Sequence, residues 1–70
     1  MKLQAIKKAL KAASKLNIGG NEQKVLAQII KTMDGVEEIG MEAFADCAVQ
    51  AGLDRQVGID LFELVDTLVF

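Results

Sequence analysis

An all-α fold of four short helices is what three features of this 70-residue chain predict. Apolar residues recur at three- and four-residue intervals in four separate stretches, the spacing that lines one face of a helix. Short turns rich in glycine or asparagine separate those stretches. The length allows one domain at most, with no internal repeat, low-complexity run or linker to divide it. Residues 1–70 are expected to form a single small helical domain, its last three helices a compact, orthogonally crossed core and its first a basic amphipathic N-terminal helix.

The first helix is read over residues 1–16, where Ala, Leu, Lys and Gln fill nearly every position. Leu3, Ile6, Leu10 and Ala13 make its apolar stripe, and Lys7, Lys8, Lys11 and Lys15 cluster on the other side. Gly19 and Gly20 are expected to end it through the left-handed conformation that glycine takes readily. Asn21 then reads as the N-cap of a second helix, with Glu22 and Gln23 in its first turn. Val25, Leu26, Ile29, Ile30 and Met33 form the inward face of that helix, and Asp34 and Gly35 break it. Residues 36–40 connect onward, with Ile39 tucked inward.

In the third helix Met41, Phe44, Cys47, Ala48 and Ala51 repeat at three and four residues, while Glu42, Asp46 and Gln50 face out. Its alanines carry little bulk, so a neighbouring helix can approach closely. Gly52 closes it, Leu53 plugs inward, and Asp54 caps the final helix. There Val57, Leu61, Leu64, Val65 and Leu68 share a face that Phe62 and Val69 widen to roughly 160° at about 100° per residue. So wide a face marks this helix as the central packing element. Gly58 weakens its first turn by up to about 1 kcal/mol relative to alanine, which puts its start anywhere up to Asp60.

Composition narrows the setting. Roughly half the residues, 51%, are hydrophobic, which suits a folded globule and not a disordered chain. The single cysteine, Cys47, has no disulfide partner and no companions for a zinc site, so a reducing, cytoplasmic compartment is expected. No signal-peptide run or membrane span is visible, and a soluble protein with no membrane contact is the expectation.

The net charge of −2 conceals two opposite halves. Residues 1–31 hold seven lysines and one acid, Glu22, whereas residues 32–70 hold nine acids and one base, Arg55. The lysine face could meet phosphates, an acidic protein or an anionic surface, yet it has no aromatic residue to stack on bases or to seat in lipid. Its plainer reading is a solvated face, or one paired with the chain's own acids. The acidic half could imitate phosphate spacing against a basic partner; more ordinarily such acids keep a small hydrophobic protein dispersed. They do not form a calcium loop, because the sequence from Asp34 to Glu38 lacks alternating oxygen ligands.

The segment from Phe44 to Phe62 has part of another pattern. Ala48, Gly52, Leu53 and Leu61 sit at the small, turn and apolar positions of helix-turn-helix units, which that segment resembles. Residues 25–70 likewise resemble the three-helix part of winged-helix domains, which implies a DNA reader. Gly58, however, stands where a branched apolar residue is usual. A recognition helix should also offer Arg, Lys, Asn or Gln to the groove. This one offers Arg55 and Gln56, followed by Asp60, Glu63 and Asp66.

Parts for catalysis are missing. There is no histidine, no carboxylate pair set among apolar residues, and the only serine, Ser14, lies among lysines without a base. Small acidic four-helix carrier proteins need a serine after an Asp at a helix start, but Asp54 and Asp60 are followed by Arg55 and Leu61. Cys47 sits on an apolar face, as core cysteines do. Gly19 and Gly20 lack the spacing and the Lys-Ser/Thr of a phosphate loop.

The expectation is therefore a non-enzyme with no cofactor, no metal and no catalytic residue: a small protein-binding module, an adaptor or inhibitor, acting through an acidic or apolar helical surface. Glu42, Asp46, Asp60, Glu63 and Asp66 are its candidate protein-binding residues. Ile59, Phe62, Val69 and Phe70 are candidates for homodimerisation, since the chain stops in three apolar residues. The alternative is a small helix-turn-helix-like DNA-binding regulator in which Lys7, Lys8, Lys11, Lys15 and Arg55 contact phosphates.

Overall fold

The computed structural model describes residues 1–68, and within them the backbone is helical in four places: α1 (Leu3–Lys11), α2 (Gly20–Thr32), α3 (Met41–Gln50) and α4 (Arg55–Thr67). The fold class is all-α, as the periodicity predicts. One core gathers residues from every helix, with Ile6, Val25, Leu26, Ile29, Phe44 and Val65 its largest fully buried side chains. The radius of gyration, 10.5 Å, is close to the roughly 11 Å of a packed domain of this length.

The first helix is shorter than the run of helix formers that encodes it. After Lys11 the chain tightens into turns that carry both Ala13 and Ile18 into the core, at 3% and 7% exposure. The left-handed residue that reverses the chain is Asn17, with φ 56°, and not a glycine. Asparagine tolerates that region better than any other residue bearing a Cβ. The Ile18 N–H then donates to Ala13 O at 3.0 Å, the bond that typically closes such a turn. Gly19 is extended instead and takes the N-cap position expected of Asn21, so α2 begins two residues earlier, at Gly20. Leu10 is only half-buried, and Ala9, fully buried, takes its place beside Leu3 and Ile6. That helix is thus built into the core while its lysines stay outside.

The N-terminal residues are tied to the α2–α3 connector. Lys2 and Glu38 form an isolated antiparallel bridge. Around it the Leu3 N–H donates to Glu37 O at 3.1 Å and the Ile39 N–H to Met1 O at 2.7 Å. The Met1 amine donates to Ile39 O at 3.0 Å. This clasp turns Ile39 inward, to 4% exposure, as its apolar character predicts.

Helix α3 ends in a Schellman motif. Gly52, with φ 92°, lets the Leu53 N–H reach Ala48 O and the Gly52 N–H reach Val49 O, both at 3.0 Å. Asp54 occupies the N-cap position of α4, although its side chain makes no capping hydrogen bond. The inward face of α3 is Phe44, Ala45, Cys47 and Ala48. Ala45, fully buried, joins the inward set, whereas Met41 in the first turn is 43% exposed and Ala51, at the C-cap, is exposed as well.

Helix α4 runs from Arg55 without interruption through Gly58, and the reason is packing. Gly58 is buried, and a Cβ built there would lie 2.7 Å from the Ala48 Cβ and 3.2 Å from the Ala45 Cα. Glycine is what allows α3 and α4 to cross so closely, as the small residues of α3 predict. None of the described helices is long and apolar enough to cross a membrane.

Candidate functional site

Helix α4 presents three faces, and they separate the candidate residues. Gly58, Leu61 and Val65 point into the core. On one flank Phe62 sets its ring edge-on to Phe44 of α3, with centroids 5.4 Å apart and planes at 76°. On the same side Arg55 Nη1 donates to Asp46 Oδ1 at 2.7 Å, with both side chains half exposed or more. On the other flank Val57, Asp60 and Leu64 border a groove.

What faces that second flank is the turn between α1 and α2 together with the first turn of α2. Asn17, Ile18, Gly19 and Glu22 form one wall and Val57, Asp60, Leu61 and Leu64 the other, around a groove of about 310 Å³. Its floor is apolar: Ile18 and Leu61 are buried, Val57 is half-buried, and Leu64 is 41% exposed. Local bonds fix each wall. Gln23 Nε2 donates to Ile18 O at 2.8 Å, which pins the turn against α2. Gln56 Nε2 donates to Asp60 Oδ1 at 2.9 Å, one helical turn along α4. The Glu22 carboxylate folds back over Gly19, at a helix N-terminus where negative charge is favoured; a Cβ at Gly19 would collide with it. The two charged residues of the lining, Glu22 and Asp60, are both acids.

The sequence-predicted residues fall on different parts of the surface. Lys7, Lys8 and Lys11 are exposed on α1, whereas Lys15 lies in the turn beyond it. Among the described residues Lys7, Lys11 and Lys15 have no carboxylate within ion-pairing distance. Arg55 does not extend the lysine face, because it is paired with Asp46. Of the candidate protein-binding acids, Asp60 enters the groove. Glu42 on α3 and Glu63 and Asp66 on α4 are exposed outside it, and Asp46 is held by Arg55. Ile59 and Phe62 are half-buried within the fold. Val69 and Phe70 lie outside the described residues.

The groove itself was not foreseen. Val57 and Leu64 read as part of one wide buried face, and only the excess width of that face signals that some of it stays open. Ile18 and Glu22 carry no such signal, since their place beside α4 depends on how a turn some 40 residues away is folded.

Among the described residues no cluster of three His, Cys, Asp or Glu side chains could hold a metal ion. Cys47 is buried in α3; burial pushes its thiol pKa up, and the charge of neighbouring Asp46 adds to the shift. A thiol so placed is a poor nucleophile. No protein-family model, no curated protein and no solved structure matches this chain.

Proposed function

We propose that the protein is a non-enzymatic binding module, an adaptor or inhibitor, whose recognition surface is the groove between α4 and the α1–α2 turn. The observation that supports this reading is Leu64, a large aliphatic residue left 41% exposed beside Val57 over an otherwise closed floor, with the Asp60 and Glu22 carboxylates at the sides. Concave apolar surface with a few fixed polar groups is the usual character of a recognition site. A heterologous protein fits better than a second copy at this groove, because of the self-association candidates among the described residues Phe62 is already engaged with Phe44 and Ile59 is half-buried. The free, buried Cys47 suits a reducing compartment such as the cytoplasm.

The rival reading, a DNA-binding regulator, draws support from the exposure of Lys7, Lys8, Lys11 and Lys15. Against it, Arg55 is neutralised by Asp46, and the exposed residues of α4 include Asp60, Glu63 and Asp66. Those acids would repel phosphate.

The deciding experiment selects binders from a library of displayed peptides on the immobilised protein, and measures duplex DNA binding by fluorescence anisotropy in parallel. Selected peptides are expected to lose at least tenfold in affinity on Leu64→Gln. DNA is expected not to bind at 50 mM salt. Micromolar DNA binding that collapses between 50 and 200 mM salt, and disappears when the four lysines become glutamine, would establish the rival instead.

A further inference from the structure

Resting on that reading, we infer that the occupant of the groove is a cationic amphipathic helix of another protein, which sets a large aliphatic side chain against Leu64 and flanks it with lysine or arginine. Three features point to this ligand. The volume, about 310 Å³, is at the bottom of the range for small-molecule sites, so it suits one or two protein side chains better than a cofactor. The floor of Ile18, Val57, Leu61 and Leu64 gains by losing water to an aliphatic anchor. The walls carry Glu22 and Asp60 on opposite sides and no cation, so an incoming anchor is favoured when positive charge surrounds it.

The secondary structure of the ligand follows from the walls. They are a turn, the first turn of α2 and the side of α4, none of which offers an open strand edge. An extended peptide would gain no ladder of main-chain hydrogen bonds there, whereas a helix satisfies its own backbone and needs only side-chain contacts. The chain's own basic helix cannot serve from a second copy. The apolar side of α1, Leu3, Ile6 and Ala9, is buried in the core and unavailable. A different protein must supply the helix.

The test uses three 18-residue model peptides of one amphipathic design, with leucine on the apolar face and lysine, glutamine or glutamate on the polar face. Each is titrated into ¹⁵N-labelled protein. The lysine peptide is expected to shift the amides of Ile18, Gly19 and residues 57–64, to bind at least tenfold tighter than the glutamine peptide, and to leave the glutamate peptide without measurable affinity. Leu64→Gln, which keeps every charge, should weaken the lysine peptide at least tenfold, and Leu64→Ala should weaken it less. Glu22→Gln with Asp60→Asn should bring the lysine and glutamine peptides within about twofold of one another.

Equal binding of lysine and glutamine peptides at the groove overturns the cationic ligand and leaves the binding-module reading intact. Shifts confined to other acids such as Glu37, Glu38 and Glu42, untouched by Leu64→Gln, overturn both. So does the absence of any shift with all three peptides. Groove amides that move with protein concentration alone would make the occupant a second copy and overturn this inference.

Discussion

Helix α4 is met on its two flanks in opposite ways. Toward α3 the approach is limited by backbone: Gly58 lies against Ala45 and Ala48, the Phe44 and Phe62 rings lock beside them, and Arg55 closes the rim on Asp46. Toward α2 the same helix faces the tip of a turn and Glu22 of the first turn of α2, and Ile18 alone of these is buried. Small residues make the first flank tight because nothing projects to hold the helices apart. On the second flank large residues, Val57 and Leu64, project toward a neighbour too small to cover them. Closure therefore depends on the size of what lies opposite, and not on how apolar each flank is.

Substitutions on the closed flank should be the most damaging. Phe44→Ala removes a fully buried ring, a change that typically costs about 3–5 kcal/mol. A single small core rarely supplies more than that in total. The variant is expected to show no cooperative thermal transition by circular dichroism. Gly58→Val forces branched carbon into space already held by Ala48 and Ala45, and should cost about 1–3 kcal/mol in urea denaturation. Gly58→Ala should be destabilising too, by a smaller amount, because the clash outweighs alanine's helix propensity. Adding Ala48→Gly should return part of that loss, a coupling of about 0.5 kcal/mol or more between the two positions.

Thiol chemistry sharpens the contrast without relying on stability. Native Cys47 should resist a disulfide reagent at pH 7 and react fully in denaturant, whereas a Leu64→Cys thiol on the open flank should react at a rate near that of a small-molecule thiol. The pH dependence has a definite sign. Folding holds the Cys47 thiol neutral, so its contribution to stability is present below the unfolded value of about 8.5 and is lost as pH rises through the higher folded one. Stability measured from pH 8 to 10 should fall, and Cys47→Ala should fall less steeply.

The smallest effects are expected at the surface. Leu64→Gln and Arg55→Ala should each change stability by about 0.5 kcal/mol or less, the first because Leu64 is 41% exposed and the second because the ion pair is solvated. A loss of 2 kcal/mol or more on Leu64→Gln, read from the same urea curves, would show that the open flank is part of the core.

What could be read from the chain was whatever depends on neighbours close in sequence. Four helical stretches, the glycine turn at Gly52, the cap position of Asp54 and the inward Ile39 follow from local rules of spacing and backbone conformation. Small residues defeated the same reading. Ala9 and Ala45 are fully buried, yet they do not stand out from an apolar pattern, and Gly58 reads as a weak point in a helix until the opposing Ala48 is in view. The groove was hidden for a different reason: periodicity ranks positions on one helix by depth but carries no information about which flank another segment will cover. The charge pattern had a similar limit. It set Asp46 and Arg55 apart as candidates for different partners, and the fold pairs them with each other.

The clasp between Met1, Lys2 and Leu3 and the connector at Glu37, Glu38 and Ile39 bears on the order in which contacts form during folding. Residues 1–3 find these hydrogen-bond partners only once residues 37–39 are in place, so α1 can coil and dock on α2 while the residues just before it stay unpaired. Joining positions so far apart carries the entropy of closing a long loop, which local helix contacts do not. Closing the clasp is therefore expected to follow the docking of α1 on α2, and it needs no residue of α3 or α4.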